Sequence, residues 1–279
     1  MSLTDSARRH DEMVRASNEQ RARLATADSG GDRWSAAATR FTSDPRRQPE
    51  PNLLAIAEYV RPEHVLLDVG GGAGRYSLPL ALHCREVVNV EPSTGMGAAF
   101  EASALKSEIG NARWVASEWV ASQGVSGDVS LVVHVTYFVP QIVPFVEKLV
   151  SCSRERVIFG TCVTPPPNQS AAIYEALNGQ PLALVPGYRE LLPVLWDMGI
   201  VPDVRVLDVA EATALGGISP TRDEAIQAAI SGPPEATSGA AAVASLESRF
   251  DELFVAVPGG FRRRPSGDPR MMLITWKTT

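Results

Sequence analysis

An aspartate followed by closely spaced glycines forms the segment of this sequence that is best suited to bind a ligand. Asp68 lies at the end of an apolar run, and Gly70, Gly71, Gly72 and Gly74 follow it. Glycines permit a turn so tight that side chains at these positions would block an approaching ligand. The helix after such a turn presents backbone N–H groups that lack partners within the helix. A nucleotide-like ligand fits a crevice of this kind, at the carboxyl ends of parallel strands.

The spacing of these glycines separates two classes of nucleotide ligand. Counted from Gly70, the dinucleotide fingerprint G-x-G-x-x-G requires a third glycine at a position that is occupied by Arg75. The third glycine comes one residue earlier, at Gly74, so that the segment reads D-x-G-x-G-x-G. The Asp68 carboxylate would repel a pyrophosphate, whereas it suits a ligand with an ammonium or sulfonium group. The pattern therefore favours a cationic nucleotide ligand over a dinucleotide.

This segment resembles the nucleotide-binding motif of class I S-adenosylmethionine-dependent methyltransferases, and the resemblance covers residues 53 to 163. It implies that the glycine loop wraps the methionine part of the cofactor and that Asp68 orients the amino group, directly or through water. It also implies that Glu91, after the second predicted strand, binds both ribose hydroxyls, because a carboxylate can accept two hydrogen bonds at once. Pro92 and Met96 match the family's usual continuation, in which an apolar side chain packs beside the adenine.

The resemblance further implies that adenine is recognised after the third predicted strand, which lies around residues 113–116. Ser117 or Glu118 would meet the adenine amino group. Trp119 would either pack on the adenine ring or belong to the hydrophobic core. The Asp-Ala pair that is common in the family at this point is absent here.

The fourth predicted strand opens at Asp128 and ends in residues 134–140, and the resemblance implies that this end faces the methyl group of the cofactor. His134 is a candidate general base, since imidazole titrates near neutral pH; the alternative is a structural or cofactor-lining residue. Tyr137 is a second catalytic candidate. Little acid–base help is required, because the sulfonium is already activated and alignment supplies much of the rate. The Asn/Asp-Pro-Pro-aromatic motif of base-modifying amino methyltransferases and a Pro-Cys nucleophile are both absent, so no nucleic-acid acceptor is expected.

Alternating strands and helices must position these residues. Short apolar runs and amphipathic helices alternate from Asn52, a predicted N-cap, to residue 163, which is typical of βαβ units. We therefore expect an α/β fold with a Rossmann-like, seven-stranded, mostly parallel sheet flanked by helices and carrying helical cap insertions. The resemblance implies that the last strand, Met271–Lys277, is antiparallel.

The remaining segments are expected to cover the sheet domain. Residues 1–51 are predicted to form an N-terminal arm, with a frayed helix, a turn at Gly30-Gly31 and a candidate lid. Residues 52–279 would form the methyltransferase domain, with cap-like insertions near 164–186 and 210–270 and a loop between residues 231 and 242. The lid would hold Trp34, Arg40 and Phe41, for which surface packing is the alternative. The run Arg262–Arg264 is interpreted as an exposed loop, or else as a site that attracts an acidic substrate.

The composition of the chain argues against several other classes of protein. The 279 residues carry a formal net charge of −6, which argues against an extended phosphate-binding surface. Three cysteines form no CxxC pair, and the histidines show no metal-ligand spacing, so neither a disulfide framework nor a metal site is expected. No run is apolar enough for a membrane span or a signal peptide, and we expect a cytoplasmic protein.

The sequence thus predicts methyl transfer from S-adenosylmethionine to a small-molecule acceptor, with S-adenosylhomocysteine as the product. Two alternatives stay open. One is a protein that binds the cofactor without catalysis, and the other is a nucleotide-dependent oxidoreductase. The sequence leaves the acceptor and the oligomeric state undetermined.

Overall fold

One seven-stranded sheet organises the chain. The computed structural model describes residues 4–24, 32–210, 217–231 and 240–278. The sheet strands are β1 (Val65–Val69), β2 (Glu86–Val90), β3 (Ala112–Val115), β4 (Gly127–Val133), β5 (Ser153–Cys162), β6 (Asp203–Ala210) and β9 (Arg270–Lys277). A separate hairpin is formed by β7 (Phe254–Val257) and β8 (Gly260–Arg263).

The strand order in the sheet is β3-β2-β1-β4-β5-β9-β6. The pairs from β3 to β5 are all parallel, whereas β9 runs antiparallel to both β5 and β6. This confirms the predicted mostly parallel sheet with an antiparallel last strand. The order reverses between β1 and β4, and in such sheets ligands bind outside the carboxyl ends of the strands at this switch point.

Helices cover both faces of the sheet. The α-helices are α1 (Asp5–Leu24), α2 (Arg33–Phe41), α3 (Pro51–Ala57), α4 (Ser77–Ala81), α5 (Thr94–Lys106), α6 (Ile142–Cys152), α7 (Ala171–Asn178), α8 (Tyr188–Asp197), α9 (Arg222–Ser231), α10 (Ala240–Ser248) and α11 (Phe250–Leu253). Every residue of β1 is buried, as expected for a parallel strand covered on both sides. Phe145 of α6 and Leu191 of α8 belong to one core cluster, and Ile56 of α3 and Phe100 of α5 to the other.

Two helix predictions need correction. The N-terminal helix is not frayed, because α1 runs for 20 residues and buries Ala7 and Val14. It packs on α8 and α6, which explains why a largely polar segment is ordered. The helix expected after an N-cap at Asn52 begins at Pro51 instead, with Glu50 as the N-cap. The turn predicted at Gly30-Gly31 lies outside the described residues.

Some of the segments after β5 form a third hydrophobic cluster, which we call the cap: α7, α9, α10, α11 and the β7–β8 hairpin. The predicted loop between residues 231 and 242 falls largely outside the described residues. The exposed loop expected at Arg262–Arg264 is wrong for its first two residues, which lie in β8 and are partly buried. No helix in the described part of the chain is long and apolar enough to cross a membrane.

Candidate functional site

The glycine loop leaves β1 and turns over its carboxyl end. The backbone N–H of Gly70 donates to the carbonyl oxygen of Val90 at 2.8 Å, which ties the loop to β2. Gly72 has φ +55°, a conformation that residues with a Cβ seldom adopt. A Cβ at Gly72 would meet only the Met96 sulfur, at 3.7 Å, so the loop is open on this side. The predicted loop therefore has the backbone and the free space that a close-lying ligand requires.

Asp68 lies directly beneath this loop. A Cβ added to Gly71 would collide with the Asp68 carboxylate. The side chain is buried, and burial raises the pKa of Asp68 to about 7, while the Ser77 hydroxyl lowers it and the Glu91 charge raises it further. Ionisation here is unfavourable unless a cation comes close.

Glu91 lies beside the same loop, directly after β2. Its Oε2 accepts a hydrogen bond from the Gly72 N–H at 3.1 Å, and its Oε1 accepts one from the Ser93 N–H at 2.8 Å. Burial raises the pKa of Glu91 despite these two hydrogen bonds. A carboxylate has about four acceptor positions, so that Glu91 keeps capacity for further donors.

Met96 borders the loop from α5, whereas Pro92 is exposed. Ser93 caps α5, because its Oγ accepts from the Met96 N–H at 3.2 Å. The Met96 side chain is buried in a small cluster with Ala73 of the loop and Ala38 of α2. The structure thus places Met96 against the glycine loop, and its packing beside an adenine stays a prediction.

The three residues proposed for adenine recognition lie in different surroundings. Glu118 is exposed, and its charge contributes to raising the pKa of Glu91. Ser117 is half-buried and donates to the Glu118 carbonyl at 3.0 Å. Trp119 is buried, donates from Nε1 to the Phe145 carbonyl of α6 at 3.1 Å and lies in the core. These contacts favour the core interpretation of Trp119.

His134 lies just past β4 and not within it, which corrects the predicted strand end. Its φ is +60°, and its backbone N–H donates to the Gly160 carbonyl at 2.8 Å. The side-chain Nδ1 is 3.2 Å from the hydroxyl of Tyr137, which lies in a short 3₁₀ turn. The structure therefore brings the two catalytic candidates together.

The Tyr137 hydroxyl also holds β5. It accepts hydrogen bonds from the Thr161 hydroxyl and from the Cys162 N–H, each at 2.7 Å. The contact with Nδ1 of His134 is a third link of this hydroxyl, and the tautomer of His134 decides which of the two groups donates in it. This arrangement orients the His134 ring and suits Tyr137 to a positioning role.

Helix α2 packs over the glycine loop, a contact that the sequence did not specify. Asp32 is the N-cap of α2, and its Oδ2 accepts from the Ser93 hydroxyl at 2.6 Å. The Trp34 ring meets the Phe138 ring edge-on at 5.7 Å between centroids. Phe41 pairs with Trp34 at 6.0 Å, while Arg40 is exposed. Sequence reasoning missed Asp32 and Phe138, although the D-x-x-S pattern at Asp32 is an N-cap signal.

Helix α1 holds the segment that follows β4. Asp11 is buried, and its Oδ1 accepts a hydrogen bond from the backbone N–H of Gln141 at 3.0 Å. Gln141 has a φ of +59°. Burial lowers the pKa of the adjacent His10 to about 4. The Arg21 guanidinium lies 5.8 Å from the centre of the Phe138 ring. No group of three or more His, Cys, Asp or Glu side chains suited to a metal ion occurs among the described residues.

Comparisons with known proteins agree with this architecture. No protein-family model matches the sequence, and no curated protein matches it. The YcgJ protein of Bacillus subtilis has a similar structure, with a TM-score of 0.54 and 13% identity over 81% of this chain and 97% of that chain. A protein of Bacillus halodurans C-125, provisionally described as a methyltransferase, gives a TM-score of 0.51 and 10% identity over 81% and 96% of the two chains. At these identities the likeness shows the fold. The chain has the Rossmann-like fold of class I methyltransferases.

Proposed function

We propose that this protein is an S-adenosylmethionine-dependent methyltransferase that acts on a small molecule. One observation carries the proposal: two buried carboxylates, Asp68 and Glu91, flank a glycine loop whose face beside Gly72 is open. Both have a raised pKa because burial penalises their charge. A ligand that supplies a cation to one carboxylate and hydroxyl donors to the other relieves this penalty.

The residues fit the cofactor of this reaction. Asp68 would hold the amino group of the methionine part, Glu91 would accept from the ribose hydroxyls and Met96 would pack beside the adenine. Pro92, Ser117 and Glu118 remain candidates for the adenine side. When bound, S-adenosylmethionine would supply a methyl carbon that is activated for in-line attack by an acceptor atom, with S-adenosylhomocysteine as the leaving group. The chain needs to contribute orientation, exclusion of water and, for a hydroxyl or ammonium acceptor, removal of a proton.

The same carboxylate argues against a dinucleotide. A pyrophosphate on this loop would approach Asp68, which lies directly beneath Gly71. Burial already raises the pKa of Asp68 to about 7, and a second negative group would disfavour its ionisation further, whereas a cation stabilises the ionised form. An oxidoreductase is therefore the weaker alternative.

His134 is the candidate for removing the proton. His134 lies just after β4 at the carboxyl end of the sheet, and its contact with Tyr137 leaves Nε2, which is buried, as the ring nitrogen that would face an acceptor. A base at Nε2 requires the tautomer whose proton is on Nδ1, and Nδ1–H would then donate to the Tyr137 hydroxyl. A histidine that only orients the acceptor is the alternative.

The remaining expectations belong to the same proposal. The N-terminal arm, residues 1–51, would act as a lid, and the domain 52–279 would hold the catalytic site with its insertions near 164–186 and 210–270. The contacts of α2 with the glycine loop support the lid. We further propose a cytoplasmic location and no nucleic-acid acceptor, as the composition suggested.

A screen for S-adenosylhomocysteine release tests the reaction. The purified protein is incubated with S-adenosylmethionine and pools of small hydroxyl, amine and carbon acceptors. We expect release above the rate without acceptor for at least one pool, and loss of that release in Glu91→Gln. If the protein binds S-adenosylmethionine but releases no product with any pool, the non-catalytic binding protein becomes the better account.

A further inference from the structure

The cap contains a cavity that has no part in the proposed cofactor site. Its volume is about 300 Å³, near the lower end of the range for small-molecule sites. Phe254, Phe261, Ile218 and Ala225 supply apolar walls, and Arg263 of β8 supplies the one charged side chain among the described lining residues. The cavity thus combines an apolar interior with a single cation.

The Arg263 guanidinium has no counter-ion in the described part of the chain. The two carboxylates of the neighbouring helix α11 pair elsewhere, Asp251 with Arg222 at 3.5 Å and Glu252 with Arg249 at 2.6 Å. Loss of water around Arg263 lowers the pKa of its side chain, and no carboxylate acts in the opposite direction. A partly buried charge without a partner is less well solvated than a surface charge, so that an anion entering the cavity would be stabilised there.

The aromatic residues in the cavity wall indicate the chemistry of the part of the ligand that carries no charge. Phe250 stacks on Phe254 at 4.5 Å and meets Phe261 edge-on at 5.2 Å, so the hairpin and α11 hold a rigid aromatic cluster. Aromatic side chains gain most from a flat, apolar partner. One guanidinium can bind one carboxylate through two parallel hydrogen bonds and neutralise its single charge. A phosphate dianion would need a second positive charge to be neutralised.

We propose that this cavity binds a small carboxylic acid with an apolar, preferably aromatic, body, and that its carboxylate pairs with Arg263. The site lies in the cap and goes beyond the proposed methyl transfer. Its occupancy is measured without the cofactor, so the two proposals can fail independently.

Calorimetric titration with phenylacetate and indole-3-acetate tests the site, with phenylacetamide as the neutral analogue. We expect saturable binding of at least one acid to the wild type, at least tenfold weaker binding to Arg263→Met, and weak binding of the amide to both. Arg113→Met is the matched control, because Arg113 is exposed on the distant edge strand β3 and should not affect binding.

A stability measurement separates a ligand site from a structural arginine. Without ligand, Arg263→Met should keep or raise the melting temperature, since it removes an unpaired charge from a desolvated position. The proposal is overturned if neither acid binds at millimolar concentration or if Arg263→Met binds them as the wild type does. Binding of phenyl phosphate in preference to phenylacetate, or a clear fall in the melting temperature of Arg263→Met, would also contradict it.

Discussion

Asp68 and Gly71 are in direct contact: the glycine lies on the aspartate so closely that a Cβ on Gly71 would overlap the carboxylate. Burial raises the pKa of Asp68 to about 7, so near neutral pH its charge is only partly formed without a ligand. A cation bound on the loop, directly or through water, would therefore favour ionisation of the carboxylate beneath it. This relationship connects the glycine pattern with the proposed sulfonium cofactor.

Replacement of Gly71 by alanine should disrupt this contact. The added methyl group must displace either the loop or the Asp68 carboxylate, and overpacking of this kind costs about 1–3 kcal/mol. We expect a lower melting temperature and at least tenfold weaker binding of S-adenosylhomocysteine. Gly110→Ala is the control, because a Cβ there meets no atom within 4 Å. Wild-type affinity in Gly71→Ala would show that the loop does not touch the ligand.

Asp68→Asn should change how stability depends on pH. The unfolded chain releases the Asp68 proton near pH 4, whereas the folded protein keeps it up to about pH 7. Between these values the folded state binds more protons, so this group lowers stability as the pH rises. The melting temperature of the ligand-free variant should therefore exceed that of the wild type by an amount that grows from pH 5 to about pH 7 and then levels off. Each kcal/mol of this difference raises the melting temperature by about 2–4 °C.

Asp128→Asn provides the control for this pH series. Hydrogen bonding to Arg154 lowers the pKa of Asp128 below its usual value, so this carboxylate is ionised in both states above pH 5. Its replacement should lower the melting temperature by an amount that stays constant from pH 5 to pH 8. A constant difference for Asp68→Asn as well would contradict the raised pKa.

The order of elements and the glycine loop could be predicted because their signals are local. The apolar runs of β1 and β4, and the glycines after Asp68, each determine a short piece of backbone. Glu91 follows from its place at the end of β2. Parallel pairing then brings these carboxyl ends together at one edge of the sheet.

The packing of the N-terminal helices could not be predicted in this way. Asp32 meets Ser93, and Trp34 meets Phe138, across long stretches of chain that no local pattern connects. The β7–β8 hairpin was missed for a different reason. Its signal was present as a β-branched and aromatic run before Pro258-Gly259, but the arginines after it suggested a solvated loop.

Tyr137→Phe should separate positioning from binding. The Thr161 hydroxyl and the Cys162 N–H lose a buried acceptor, which costs about 1–3 kcal/mol of stability. Because His134 also loses its contact, we expect altered ¹⁵N chemical shifts of that imidazole and a lower kcat, with unchanged affinity for S-adenosylhomocysteine. Tyr188→Phe is the control, since that hydroxyl contacts only the exposed Arg189 side chain among the hydrogen bonds described. Unchanged imidazole shifts would rule out the positioning role.

Asp32→Ala should loosen α2 from the glycine loop. The variant removes the N-cap, which accepts from the Trp34 and Ser35 N–H groups at 3.1 and 3.2 Å, and a lost cap costs about 1 kcal/mol. We expect faster hydrogen–deuterium exchange in residues 33–41 and faster release of S-adenosylhomocysteine, with unchanged exchange in β1 and β4. Asp44→Ala, which removes a hydrogen bond outside α2, should change neither. Identical release rates would remove the lid from the account.

The most direct measurement of the central claim is calorimetric titration of the wild type, Glu91→Gln and Glu86→Gln with S-adenosylhomocysteine and with NADH. Glu86 lies at the other end of β2 and pairs with Arg113, which makes it the matched control. We predict that the wild type and Glu86→Gln bind S-adenosylhomocysteine and not NADH. The affinity of Glu91→Gln for S-adenosylhomocysteine should fall by about 10- to 100-fold, which corresponds to a loss of about 1–3 kcal/mol of binding free energy. Binding of NADH alone, or equal affinity in all three proteins, would contradict the account.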